Sequence, residues 1–159
     1  MPLSVGDRVP DVSGTLPDGS TWKTSDARGK PLVVYFYPKD FTPGCTREAC
    51  AFRDSHNDIV ENYGAEVVGI SRDTAESHEK FAERHNLPYK LVADPTGELT
   101  KAFKATMFLG LLPVSRRVTY VADGEGVIRG VFDHQAAAER HVDEVRDCLE
   151  QIVKGGPHG

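Results

Sequence analysis

Two kinds of apolar run alternate along this chain. Leu32-Val33-Val34-Tyr35-Phe36-Tyr37 is an unbroken series of β-branched and aromatic residues, which predicts a strand buried on both faces. Glu66–Ser71 (EVVGIS) predicts a second buried strand and Leu91-Val92-Ala93 a third, shorter one. Between the first two the period lengthens. From Pro43 to about Tyr63, the residues Cys45, Ala49, Phe52, Ile59 and Tyr63 recur at helical spacing, while Cys50, Asp54, Asn57 and Glu61 fall off that stripe. A second amphipathic helix is expected from Thr74 to His85, with Thr74 as its cap and Glu76 and Glu79 in its early turns.

The remaining elements follow from turn chemistry. Leu16-Pro17-Asp18-Gly19-Ser20 is a turn signal inside Val12–Trp22 and predicts an N-terminal hairpin after an extended lead-in. Asp26–Pro31 reads as a loop, and Asp94-Pro95-Thr96-Gly97 turns into a small helix around Glu98–Phe103. Asp123-Gly124-Glu125-Gly126 joins two strands, Arg117–Ala122 and Val127–Phe132. Met107–Pro113 (MFLGLLP) is apolar but broken by Gly and closed by Pro, and reads as a loop. It could form an apolar collar at a site mouth or a self-association surface. A last helix is expected from about Ala136 to Val153. After the hairpin the order is β-α-β-α-β-β-α. That order indicates an α/β fold with a mixed central sheet flanked by helices, in one domain over residues 1–154 with a flexible tail at 155–159.

Composition narrows the function classes. The 159 residues are 39% hydrophobic and 27% charged, ordinary for a globular chain. A net charge of −5 without any Lys/Arg block disfavours a nucleic-acid partner. No apolar run reaches the roughly 18 residues of a membrane span. The N-terminus lacks the apolar segment of a secretory signal, so a cytoplasmic location is expected. Three cysteines make a poor disulfide framework and, in a reducing compartment, are reactive or simply packed.

One cysteine stands out. With Thr42 as cap and Pro43 in the first helical position, Cys45 is the third residue of its helix. Its sulfur then sits among unpaired N–H groups at the positive end of the dipole, where a thiolate is favoured. Cys50 lies five residues on, which in an intact helix means about 140° around and about 7.5 Å along the axis. The Cα atoms would be roughly 8–9 Å apart, too far for a disulfide unless the first turns unwind.

Pro38-x-x-x-Thr42-x-x-Cys45 matches the active-site motif of the peroxiredoxins. The longer run Tyr37-Pro38-Lys39-Asp40, Thr42-Pro43-Gly44-Cys45-Thr46 and Glu48-Ala49-Cys50-x-Phe52-Arg53-Asp54 resembles the bacterioferritin comigratory protein (peroxiredoxin Q) subfamily, over most of the chain from about Val5 to the last helix. The resemblance implies a thioredoxin-like fold and a thiol peroxidase acting on hydrogen peroxide and organic hydroperoxides. It makes Cys45 the nucleophile that becomes a sulfenic acid, and Cys50 the residue that resolves it as an intramolecular disulfide. It assigns the Thr42 hydroxyl to the thiolate and peroxide, and has Pro38 shield the site from water. It also places an arginine from a distant strand beside the sulfur. The family spacing of Arg, two residues, then an aromatic selects Arg117 with Tyr120, and strand alternation puts Arg116 on the other face. Glu48 occupies the position that orients this arginine.

Each of these residues also has a plainer reading. Thr42 could be only a cap, Pro38 only a strand stop, and Glu48 and Cys50 only residues on a polar helix face. Cys148 shares the seam of the last helix with Val145, Leu149 and Ile152 and reads as packing. Zinc held by Cys45, Cys50 and His56 would need ligands on different helix faces, so neither metal nor cofactor is expected. The expected partners are a peroxide and thioredoxin or a similar dithiol reductant, with the chain a monomer or weak homodimer. The rival readings are a general thiol–disulfide oxidoreductase, disfavoured because Cys45-x4-Cys50 is not Cys-x-x-Cys, and a non-catalytic redox-sensing module.

Overall fold

The computed structural model describes residues 2–133 and 140–154. The expected N-terminal hairpin is present as β1 (Ser13–Thr15) and β2 (Thr21–Lys23). It runs into a 3-10 turn at Thr24–Ala27, part of which the sequence reading assigned to a loop. The chain continues through β3 (Leu32–Phe36), α1 (Pro43–Tyr63), β4 (Glu66–Ser71), α2 (Ala75–His85), β5 (Lys90–Ala93) and α3 (Glu98–Ala102). Then come β6 (Thr106–Leu109), β7 (Leu112–Ser115), β8 (Val118–Ala122), β9 (Ile128–Phe132) and α4 (Arg140–Lys154). The expected start of the last helix near Ala136 and the tail at 155–159 lie outside the described residues.

Seven strands form one mixed sheet in the order β2-β1-β5-β4-β3-β8-β9. Strands β3, β4 and β5 run parallel, and β8, β9 and β1 enter antiparallel. At the centre, β3 pairs with β4 through Phe36↔Ile70 and with β8 through Phe36↔Val118. Because β3 is covered on both faces, its alternation is hidden in the sequence and visible only in what each side chain meets. Val33, Tyr35 and Tyr37 pack with Cys45, Ala49 and Phe52 of α1 and with Val145 and Leu149 of α4. Leu32, Val34 and Phe36 pack instead with Trp22, Leu99, Phe103 and Tyr120.

Two helix ends carry the signals their sequences suggest. Thr74 accepts a hydrogen bond from Ser77 N (3.2 Å) and caps α2, while α1 stops at Gly64, whose φ of 63° is the left-handed C-cap conformation. The reading of residues 107–113 as a loop is wrong. They lie in a two-stranded ribbon, β6 against β7, with Met107 opposite Val114 and Phe108 opposite Pro113. Consecutive apolar residues masked the period of two, and Pro113 is tolerated because the ribbon has free edges. Gly110 has a φ of 64° and opens the two-residue turn, which allows so tight a reversal. Phe108, Leu111 and Leu112 on this ribbon are exposed.

Candidate active site

The end of β3 and the start of α1 meet at the sheet's centre. Tyr37 N donates to Ile70 O (3.1 Å) beyond the last residue of β3, Pro38 follows half-buried, and α1 opens with Pro43. Thr42 stands at the N-cap position with extended backbone, but its side chain does not cap the helix. Its hydroxyl donates backwards to Lys39 O (2.8 Å), so the capping bond expected of it is absent and the hydroxyl oxygen keeps its acceptor capacity. The first backbone bond of α1 runs from Thr46 N to Thr42 O (2.8 Å). Cys45, the third helical residue, is 1% exposed and belongs to the inner core.

Arg117 reaches the same point from the other side. It immediately precedes β8, and the Phe36↔Val118 register brings it across from Tyr37. Its Nη2 donates to Cys45 Sγ at 3.4 Å and its Nη1 to Glu48 Oε1 at 3.0 Å. Glu48, one turn after Cys45 on α1, is fully buried, so this charged residue faces the core. Burial alone would pull the Arg117 guanidinium down, but Glu48 and Cys45 outweigh it and raise it above the ordinary arginine range. It is therefore a fixed cation beside the sulfur. Arg116 parts from its neighbour, as strand alternation predicts: its Nε pairs with Asp133 Oδ1 at 2.7 Å.

Gly44 makes room for this geometry. A Cβ built on it would lie 2.9 Å from Arg117 Nη2. Gly44→Ala should therefore push the guanidinium off the sulfur while leaving stability within a few tenths of a kcal/mol, alanine being the better helix former. Peroxide turnover should fall about tenfold or more, since small misplacements of a charged group are costly. Thermal melting beside steady-state kinetics checks both halves.

The sequence reading missed His141. This residue of α4 is fully buried, with Nδ1 2.7 Å from Thr119 Oγ1 and 3.4 Å from Glu48 Oε2. A line of buried side chains thus runs from Cys45 through Arg117 and Glu48 to His141. The available signal was a histidine set four residues before Val145 on the apolar stripe of α4.

The other cysteines differ in setting. Cys50 is half-buried on α1, off the stripe of Cys45, Ala49 and Phe52, and α1 is continuous through both cysteines. All three cysteines are free thiols. Cys148 is half-buried on α4 against Gly130, and burial pushes its thiol up to about 11 against a small opposing effect of Arg129. Among the described residues, Asp40, Asp73 and His78 form the one group able to converge three metal-type ligand atoms, and it contains no cysteine. His56 lies instead beside Tyr89, with ring centroids 6.0 Å apart and the rings tilted by 43°.

The profile of the AhpC/TSA family matches residues 5–131. The chain is similar to the chloroplastic peroxiredoxin Q of Populus jackii, 45% identical over 152 residues that cover 94% of this chain and 70% of that one. It is 42% identical to peroxiredoxin Bcp of Bacillus subtilis (strain 168) over 160 aligned positions, covering 96% and 98% of the two chains. Among solved structures, peroxidoxin BcpB from Mycobacterium tuberculosis matches with a TM-score of 0.86 and 33% identity over 93% of this chain and 97% of that one. A structure from work on the alkyl peroxide reduction activity of the Xanthomonas campestris bacterioferritin comigratory protein matches with a TM-score of 0.84 and 27% identity, over 93% and 98% of the two chains.

Proposed function

The chain belongs to the AhpC/TSA family and has its thioredoxin-like fold, and from that premise we propose a two-cysteine peroxidase cycle carried by Cys45 and Cys50. The protein is a thiol-dependent peroxidase. The observation that carries the assignment of residues is the Cys45 sulfur at the start of α1, 3.4 Å from a guanidinium that the buried Glu48 holds in place.

In this cycle the Cys45 thiolate attacks one peroxide oxygen. An S–O bond forms as the O–O bond breaks, the sulfur loses two electrons to become a sulfenic acid, and the other oxygen leaves as water or an alcohol after taking a proton. Arg117 favours the thiolate and donates to the oxygen on which charge develops. The Thr42 hydroxyl, with acceptor capacity to spare, orients the incoming peroxide, and Pro38 keeps water from the sulfur. The Cys50 thiol then attacks the sulfenic sulfur. The S–O bond breaks, water leaves with the thiol's proton, and a Cys45–Cys50 disulfide remains. A thioredoxin-type dithiol returns both cysteines to thiols by taking up the disulfide itself. Hydrogen peroxide and organic hydroperoxides both fit this chemistry, and the alkyl peroxide activity named for the Xanthomonas protein supports the second class.

The test is peroxide consumption with a thioredoxin system, comparing wild type with Cys50→Ser and weighing the oxidised proteins by mass spectrometry. Cys50→Ser should react once with peroxide and then stall, its turnover falling at least about tenfold while Cys45 accumulates as sulfenic and then sulfinic acid. Full recycling in Cys50→Ser would assign resolution to an external thiol or to Cys148.

A further inference from the structure

Between Tyr37 and Cys45 one residue is buried, Asp40. Among the described residues, the hydrogen bonds that tie the Pro38–Thr42 loop to elements other than α1 run through it. Tyr37 OH donates to Asp40 Oδ1 at 2.6 Å, and Ser77 Oγ donates to Oδ2 at 2.8 Å. His78 Nδ1 lies 2.7 Å from the same Oδ2, and Asp40 N donates to Asp73 Oδ2 at 2.9 Å. Asp73 Oδ2 in turn accepts from the Ser71 hydroxyl. His78 is fully buried in α2, and its Nε2 faces Val92 O at 3.0 Å. Burial and Asp40 push the Tyr37 phenol well above the ordinary tyrosine range, keeping it a donor. Both Asp40 oxygens, Asp73 Oδ2 and both His78 ring nitrogens each have a neighbour at hydrogen-bond distance. The group is a tether between α2, the end of β3, the start of α2's approach from β4, and the active-site loop.

The start of α1 needs such a tether. Its N-cap side chain makes no capping bond, Pro43 offers no N–H, and its first turn has no acidic residue to complement the dipole. Phe41 has a left-handed φ of 65°, an unfavourable conformation for a bulky residue, and it is half exposed with its ring on Phe81 at 5.2 Å. The first turn is thus held from upstream and by Arg117, and only weakly by its own end. It is also the turn that must open if Cys45 is to meet Cys50.

We propose that Asp40 and His78 are positioning residues that clasp the loop and the first turn of α1 in the folded, peroxide-reactive arrangement, and that this clasp is released when the Cys45–Cys50 disulfide forms. The inference rests on the two-cysteine cycle proposed above. The clasp favours the reduced, folded form over the unwound one, so it sets how attack on peroxide is weighed against disulfide formation.

The experiment compares wild type with His78→Leu, Ser77→Ala and His78→Asn in both redox forms. Asn can present an N–H near the place of Nδ1. In His78→Leu the melting temperature of the reduced form should fall while that of the disulfide form changes little. The disulfide should become about tenfold more favoured against a thiol redox buffer, a shift of about 30 mV to more negative potential. Over-oxidation of Cys45 at fixed peroxide should drop severalfold, because unwinding now competes better. Ser77→Ala should move all three readouts in the same direction by less, and His78→Asn should restore most of them. Equal melting losses in both redox forms with an unchanged potential would overturn the clasp and leave an ordinary buried pair. If His78→Leu does not fold, an unchanged potential in Ser77→Ala overturns it alone. Failure of the wild type to form any Cys45–Cys50 disulfide would overturn the cycle itself, and the clasp with it.

Discussion

Cys45→Ser should abolish peroxide turnover, lowering kcat/KM by at least about a thousandfold, because a serine hydroxyl is not ionised under conditions where a thiolate is. The substitution nearly conserves volume at a site that is 1% exposed, so the melting temperature should stay close to that of wild type. Arg117 and Glu48 remain in place, so the variant isolates the nucleophile from its surroundings. Peroxide consumption with a thioredoxin system, together with trapping of sulfenic acid, checks it. Turnover that survived would have to come from Cys50 or Cys148. The second is a poor candidate, since burial pushes its thiol up to about 11. A Cys45→Ser protein that still consumed peroxide would therefore point to Cys50 and reverse the proposed roles.

Arg117→Met should cost both activity and stability, and a second substitution separates the two. Losing a preorganised donor at a developing charge should lower kcat/KM about a hundred- to a thousandfold. The same change leaves Glu48 in the core without its guanidinium. Glu48 is fully buried, and breaking a buried pair from one side typically costs about 3–5 kcal/mol. Adding Glu48→Gln removes the stranded charge and should recover most of that stability while activity stays low. Urea unfolding of wild type, Arg117→Met and the double variant, beside steady-state kinetics, reads both effects. Arg117→Lys should fall between, because an ammonium is a point charge and cannot bridge Sγ and Glu48 as the two arms of a guanidinium do. Equal activity in wild type and Arg117→Met would remove Arg117 from the mechanism.

What could be read from the chain and what could not divide along physical lines. The strand at Leu32–Phe36 and the helix from Pro43 to Tyr63 were legible, because a doubly covered strand and a half-covered helix have different hydrophobic periods. Alternation about β8 separated Arg116 from Arg117, and the structure sends them to Asp133 and to Glu48 respectively. The β6–β7 ribbon was illegible because apolar residues sit at consecutive positions, and only backbone pairing reveals its period. The burial of Glu48 was illegible for a different reason. A carboxylate on a helix is normally solvated, and the partners that make its burial tolerable arrive from distant positions, Arg117 from 69 residues away and His141 from the last helix. His141 and the Asp40–His78 pair were missed likewise, since each gains meaning from a partner on another element. Thr42 shows the limit from the other side: its cap position was legible, but not that its hydroxyl turns back to Lys39.

The pairing of β8 with β3 has a consequence for how the protein is made. Cys45 and Arg117 are 72 positions apart in the chain, and what brings them together is a strand that follows the cysteine's helix only after four strands and two helices have passed. Contacts of such long range form late, because loop-closure entropy must be met before they stabilise anything. A register slip of two residues would carry the guanidinium about 7 Å along the strand and out of reach of the sulfur. During synthesis, the cysteine therefore leaves the ribosome long before its cation does. A nascent chain carries a thiol without its guanidinium partner, and the full reactive arrangement arises only once the antiparallel half of the sheet has closed.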